Sequence, residues 1–186
     1  SFTPNSIQNM MMMVNDSGVI QWARHSGGNN DDELFGVDAL NGEIYAVGYT
    51  DDASPAFLAG TIQKYDASGN LLYSNIAAIS QIEQFSQVKV GPTGGIYAGG
   101  YTSQNGIDAY VVKYNPNGSQ VWNRSVGNPT TAELAFDLTP TSDGGVLVYG
   151  ATSQGAGSDD LFFSKLDSNG TLQWTRIYGT NRTDFP

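Results

Sequence analysis

The sequence predicts an all-β chain in which one four-stranded antiparallel unit recurs about every 50 residues. Three observations predict it. A β-hairpin with a glycine turn occurs four times, a second hairpin lies between its copies, and no stretch carries the apolar period of a helix.

The clearest copy of the first hairpin runs from Asp108 to Trp122. Tyr110, Val111, Val112 and Tyr114 suit a pleated surface. Asn115-Pro116-Asn117-Gly118 then supplies a fixed φ at Pro116 and a residue that accepts positive φ at Gly118. A second strand follows, ending the hairpin. Aligned on the turn glycine, the other copies are Met12 to Gly18 running to Trp22, Gln63 to Gly69 running to Tyr73, and Ser164 to Gly170 running to Trp174. The glycines are 51, 49 and 52 residues apart, a period that signals a repeat architecture.

The intervening hairpins begin with strands at Leu34 to Leu40, Phe85 to Val90 and Leu134 to Thr139. Their turns are Asn41-Gly42, Pro92-Thr93-Gly94-Gly95 and Ser142-Asp143-Gly144-Gly145. The return strands are Ile44 to Thr50, Ile96 to Thr102 and Val146 to Thr152. Each period thus holds four short strands, which is the content of one β-propeller blade. The expected division is a partial blade at 1–26, blades at 27–77, 78–126 and 127–178, and the start of another at 179–186. An open stacked array of blades is the alternative.

The run Gly94-Gly95-Ile96-Tyr97-Ala98-Gly99-Gly100-Tyr101-Thr102-Ser103, with Asp108 to Tyr114 and then Asn117-Gly118, resembles the SBBP-type β-propeller repeat, a seven-bladed propeller family. The likeness extends over nearly the whole chain beyond about the first nine residues. The second repeat departs most, with Tyr73 in place of the tryptophan and Asn75 in place of the arginine found at Arg24, Arg124 and Arg176. The resemblance implies a secreted or surface protein and a shared scaffold, and it carries no catalytic motif.

The 23 glycines fit many tight turns and show no collagen triplet. An apolar content of 39% suffices for a core, especially in blades buried on both faces. No stretch approaches the length of a membrane helix, so insertion in a membrane is not expected. Met10 to Met13 is far too short and falls on an expected strand. With no cysteine, disulfides, thiolate metal sites and thiol nucleophiles are excluded. The net charge of −10 makes a nucleic-acid partner an unfavourable one. The register opens on the third strand of a blade and stops as another begins. The expectation is therefore a segment of a longer protein, or a ring completed by a partner chain, with end-to-end association of copies into a ring or filament.

The resemblance implies that the longer loops lie on one rim and the hairpin turns on the other. Asp31, Asp32, Glu33, Asp51, Asp52, Glu83, Asp108, Glu133, Asp159, Asp160 and Asp184 fall on the loop rim, 11 of the 18 acidic residues. No other cofactor is indicated. If any cation binds it is Ca²⁺, at Asp31, Asp32, Asp159 and Asp160; otherwise the rim is a solubilising surface, and EF-hand spacing is absent. Six of the eight basic residues repeat, as Lys64, Lys113 and Lys165 and as Arg24, Arg124 and Arg176. Each arginine lies two residues after Trp22, Trp122 or Trp174 and shares its strand face. Packing over aromatic faces or pairing with acids of the next blade is the expected role.

His25, the only histidine, has Ser26 beside it but no nucleophile elbow, and reads as surface. Paired carboxylates for sugar hydrolysis leave no trace in sequence spacing. Asn15, Asn117, Asn123, Asn169 and Asn181 match the N-glycosylation pattern, although Asn-Gly at 117 and 169 is also a good turn. No catalytic residue is singled out. The expected function is an extracellular or cell-surface structural or protein-interaction module, with another protein or further copies of itself as partner. The alternative is a carbohydrate-binding or carbohydrate-processing propeller, for which Phe57 and Phe185 are the loop-borne aromatics.

Overall fold

The computed structural model describes residues 6–52, 58–77, 83–103, 106–156 and 158–184. Among them strands alternate with turns and no helix forms. The order is β1 (Asn9–Val14), β2 (Ile20–Ser26), β3 (Asp32–Leu40), β4 (Glu43–Thr50), β5 (Ala59–Tyr65), β6 (Leu71–Ala77), β7 (Glu83–Val90), β8 (Ile96–Thr102), β9 (Asp108–Tyr114), β10 (Gln120–Val126), β11 (Glu133–Pro140), β12 (Val146–Thr152), β13 (Asp160–Leu166) and β14 (Leu172–Tyr178). They form a β1-β2 pair and three four-stranded antiparallel sheets, β3 to β6, β7 to β10 and β11 to β14, each a simple meander.

The turns are built as the residues dictate. Gly18, Gly69, Gly118 and Gly170 all adopt positive φ, between 76° and 85°. In three of the four turns the first residue's side chain folds back as an acceptor. Asn15 Oδ1 takes the N–H groups of Ser17 and Val19, Asp66 Oδ1 those of Ser68 and Asn70, and Asp167 Oδ1 those of Asn169 and Thr171. Those bonds to Asn70, then Ser68, help hold the Asp66 carboxyl below its usual range, with the Asn70 side-chain bond the largest cause.

The first strand of each four-stranded sheet starts one or two residues earlier than its apolar pattern suggests. Asp32, Glu83 and Glu133 are drawn in because their N–H groups bond the carbonyls of Ile7, Leu58 and Ile107 in the preceding unit. Each of these strands also slips register once, at Leu34/Gly36, Phe85/Gln87 and Ala135/Asp137. A glycine of the next strand makes room for each bulge. A Cβ on Gly48, Gly100 or Gly150 would collide with the carbonyl oxygen of Glu33, Gln84 or Leu134.

The sheets stack face to face in chain order and are not closed into a ring. β7 packs on β3, β4 and β5, and β11 packs on β7, β8 and β9. Each sheet therefore has a leading face, turned to the next unit, and a trailing face, turned to the one before. The first core joins Tyr45, Val47 and Ile62 to Phe85, Val88, Ile96, Ala98, Tyr110 and Val112. The second joins Tyr97, Val111, Trp122 and Val126 to Leu138, Val146, Val148, Phe162 and Leu166. Both faces of the middle sheet are buried, so β8 and β9 read as continuous apolar runs rather than alternating ones.

Candidate functional site

The repeated basic and aromatic residues form one device at every junction. Trp22 Nε1 donates to Ala67 O at 3.0 Å, and Arg24 donates from Nε to Gly69 O and from Nη2 to Ser68 O. One junction on, Asn75 Nδ2 donates to Gly118 O at 2.7 Å, while Lys64 Nζ reaches Pro116 O. At the third, Trp122 Nε1 donates to Ser168 O, Arg124 Nε to Gly170 O, and Lys113 Nζ to Gly144 O and Ser168 O. Ala67, Pro116 and Ser168 are all the second residue of their turns, and Gly69, Gly118 and Gly170 the fourth. One unit thus grips the turn of the next through two backbone carbonyls. Among the described residues none of these six cations pairs with an acid of the following unit, the alternative expected for them; the ion pair that does cross a junction, Lys89 with Asp137 at 3.5 Å, uses a lysine outside the repeat. Lys64 pairs with Glu43 of its own sheet, 2.7 Å away, and that bond holds the Glu43 carboxyl below its usual range.

The aromatic ring also seals the turn. A Cβ on Gly69 or Gly170 would lie within 2.6 or 2.7 Å of the Trp22 or Trp122 ring, and one on Gly118 would meet Asn75 and Tyr73. All three glycines are buried. Arg24 and Lys113 additionally stand over the rings of Trp22 and Tyr97, at 5.7 and 5.2 Å. Burial lowers the Lys113 ammonium from its ordinary value.

The leading face of β11 to β14 carries the same device with nothing in it. Trp174 is 39% exposed, against 7% for Trp122. Among the described residues its indole N–H has no acceptor, and Arg176 keeps only the bond to Thr175 O, the counterpart of Arg24 with Ala23 and Arg124 with Asn123. Lys165 folds back onto Thr141 and Asp143. The Asp143 carboxyl is held well below its usual range, by the Thr141 hydroxyl first and Lys165 next. Around this trio Tyr149, Phe163 and Tyr178 form an aromatic ladder with centroid separations of 4.9 and 5.9 Å. Tyr149 and Phe163 line an open groove with Leu147, Leu161, Asp137 and Thr139.

Four of the rim carboxylates cap their own loops. Asp32 Oδ2 accepts the N–H of Gly28, Glu133 Oε2 that of Asn128, Asp160 Oδ2 that of Ala156 and Asp184 Oδ2 that of Thr180. Asp31 Oδ1 accepts the N–H of Ile7. Asp159 lends its backbone carbonyl to Asp184 N. The four residues singled out for a cation therefore fall in two pairs, Asp31 and Asp32 at the start of one sheet and Asp159 and Asp160 at β13, with the β7 to β10 sheet between. Among the described residues no group of three or more His, Asp or Glu side chains is placed to hold a metal ion. Asp108 and Glu133 instead converge on Gly127. Burial, then the Glu133 charge, raises the Asp108 carboxyl.

His25 is exposed on β2 opposite Met10. Asn15, Asn117, Asn169 and Asn181 are exposed, and Asn123 is half-buried in β10. Phe57 and Phe185 lie outside the described residues. A cleft of about 360 Å³ between the second and third sheets is lined by Glu133, Ser164, Phe162 and Ile177. A cleft of about 310 Å³ occupies the corresponding place between β1-β2 and β3 to β6. Its recurrence marks it as a product of blade stacking. The turn latch was missed in sequence because its acceptors are main-chain atoms; the only signal was the shared period of Trp, Arg and turn glycine.

No curated protein matches the chain. The family described as a β-propeller domain of unknown function (DUF5122) matches residues 91–120 and 141–172, about a third of the chain and the same part of two successive repeats: β8, β9 and their turns, then β12, β13 and theirs.

Proposed function

We propose that this chain is part of an SBBP-type repeat protein that acts outside the cell or at its surface as a structural or protein-interaction module. The observation that carries the proposal is the open leading face of β11 to β14. Leu147, Tyr149, Leu161 and Phe163 line a groove there, Tyr178 packs edge-on against Phe163 and Trp174 stands exposed on the same face, an apolar and aromatic surface of the kind that monomeric proteins seldom leave bare. Its equivalents on the two preceding sheets are covered by protein. A photo-crosslinking residue in place of Phe163, in the source cells, tests the reading. Adducts to polypeptide are expected from that position and not from Val121 on the outer strand. Adducts to no protein would overturn it. Surface labelling of the intact cells tests the location, and a chain found only inside would overturn that part.

The second reading is carbohydrate binding. It is favoured by the exposure of Trp174 and Tyr178, since sugars stack on open aromatic rings. A glycan array distinguishes it, with binding lost in Trp174→Ala and Tyr178→Ala.

A further inference from the structure

Four Asn-Gly pairs occur in the chain, and asparagine before glycine carries a chemistry of its own. With no side chain on the glycine, its main-chain nitrogen can approach the asparagine Cγ. Asn105 lies outside the described residues. The other three pairs stand in turns, under unlike conditions. Gly118 N donates to Asn115 O at 2.9 Å and Gly170 N to Asp167 O at 3.0 Å, so both nitrogens are engaged. Both glycines are buried, Gly118 against Tyr73 and Asn75 and Gly170 against the Trp122 ring. Their carbonyls are held from the preceding unit by Asn75 and Arg124. Asn41 and Gly42 instead form the whole link between Leu40 and Glu43, and both are exposed, with φ of 54° and 80°. Among the described residues the Gly42 N–H has no acceptor and the Asn41 side chain no partner. Nothing covers this turn as a ring covers the others: a Cβ on Gly42 would meet only Ala67 Cβ, at 3.7 Å.

We propose that Asn41 is a site of spontaneous covalent modification, and that the turn latch protects Asn117 and Asn169 from the same reaction. Gly42 N attacks Asn41 Cγ. The new C–N bond closes a five-membered imide, and the side-chain nitrogen leaves as ammonia, carrying off the Gly42 proton. Water then opens the ring. Breaking the bond to Cγ leaves aspartate; breaking the bond to the main-chain carbonyl carbon leaves isoaspartate, with one more methylene in the main chain. At Asn117 and Asn169 the attack needs the turn to open first, against its own hydrogen bonds and against the latch. The isoaspartate has a consequence for the junction. A two-residue link with both φ positive matches the twist of the strands it joins, and a lengthened main chain does not. Glu43 follows directly on that link. It pairs with Lys64 Nζ at 2.7 Å and accepts the Tyr45 hydroxyl, and Lys64 reaches on to Pro116 O in the next sheet. The modification therefore slackens the grip of β3 to β6 on β7 to β10.

Peptide mapping by mass spectrometry tests this, on the 186-residue chain held for weeks at mildly alkaline pH, folded in one sample and in concentrated urea in another. Isoaspartate is scored with its methyltransferase. In the folded chain Asn41 should convert at least about tenfold faster than Asn117 and Asn169, and in urea the three should convert at similar rates. Trp122→Ala should speed conversion at Asn169 and leave Asn117 unchanged. If circular dichroism shows that variant to be unfolded, Arg124→Met takes its place. Aged chain enriched in isoaspartate at 41 should melt below fresh chain. Asn41→Asp keeps the length of the main chain and a residue that tolerates positive φ, and it should melt close to the wild type. An Asn41 that stays intact in the folded chain while it converts in urea, equal rates at the three sites in the folded chain, or an Asn169 indifferent to loss of the latch would overturn the proposal. Isoaspartate at 41 with an unchanged melting temperature would overturn its effect on the junction.

Discussion

The leading faces of the β7 to β10 sheet and of the β11 to β14 sheet carry the same residues in opposite circumstances. Lys113, Trp122 and Arg124 are spent on Gly144, Ser168 and Gly170, whereas Lys165 is bonded within its own sheet and Trp174 and Arg176 reach no neighbouring turn. The difference teaches that the trio does not shape the sheet it belongs to. β13 and β14 pair in the same register as β9 and β10, including the slip beside the turn, with no turn in the grip of their side chains. What the trio stabilises is the boundary between units, and substitutions should separate the two sheets accordingly.

The largest separation is expected for the tryptophans. Trp122→Ala removes a ring that is 7% exposed and should cost about 3–5 kcal/mol, while Trp174→Ala, measured where the chain is dilute enough to be monomeric, should stay within about 0.5 kcal/mol. Equal denaturant midpoints for the two would break the comparison. Next come the turn glycines. Gly170→Val meets positive φ and the Trp122 ring together, for a loss of about 2–4 kcal/mol, and Gly18→Val meets positive φ alone, for about 1–2 kcal/mol. Matching losses would show that the ring yields freely. Arg124→Met should cost about 1–2 kcal/mol through the stranded Gly170 carbonyl, and Arg176→Met almost nothing.

The smallest effect concerns pH at the same junction. The Asp108 carboxyl is raised above its ordinary value of 3.8 by burial and by Glu133. An acid with a raised folded pKa favours the fold fully only below its unfolded value, and that contribution disappears as pH climbs through the folded one. Asp108→Asn should therefore raise the melting temperature at neutral pH, with the gain shrinking to nothing as pH falls below 3.8. A gain that persists in acid would point to packing rather than charge.

The strand count, the turns and the stacking order were legible because they rest on periodic features: positive-φ glycines, Asn or Asp at the head of the turn, and paired apolar strands. The bulges were not. Gly48, Gly100 and Gly150 look like ordinary strand glycines, and only the position of a carbonyl across the sheet explains them. The acids at Asp32, Glu133 and Asp184 were placed on the loop rim, but nothing in a carboxylate's identity says whether it faces a cation, water or the N–H four or five residues back. Tyr73 and Asn75 looked like a broken repeat. Asn75 nonetheless reaches Gly118 O, because an amide can deliver a hydrogen to the same place as a guanidinium.

The latch addresses main-chain oxygens, and every residue has one. A unit ending in Trp-x-Arg, or Tyr-x-Asn, can follow or precede any unit whose turn keeps the same shape, whatever side chains fill that turn. Ala67, Pro116 and Ser168 already share the position without shared chemistry. A substitution within a turn thus leaves this part of the boundary intact as long as the backbone keeps its shape, while the apolar side chains packed beside it differ between the two cores and stay particular to each junction.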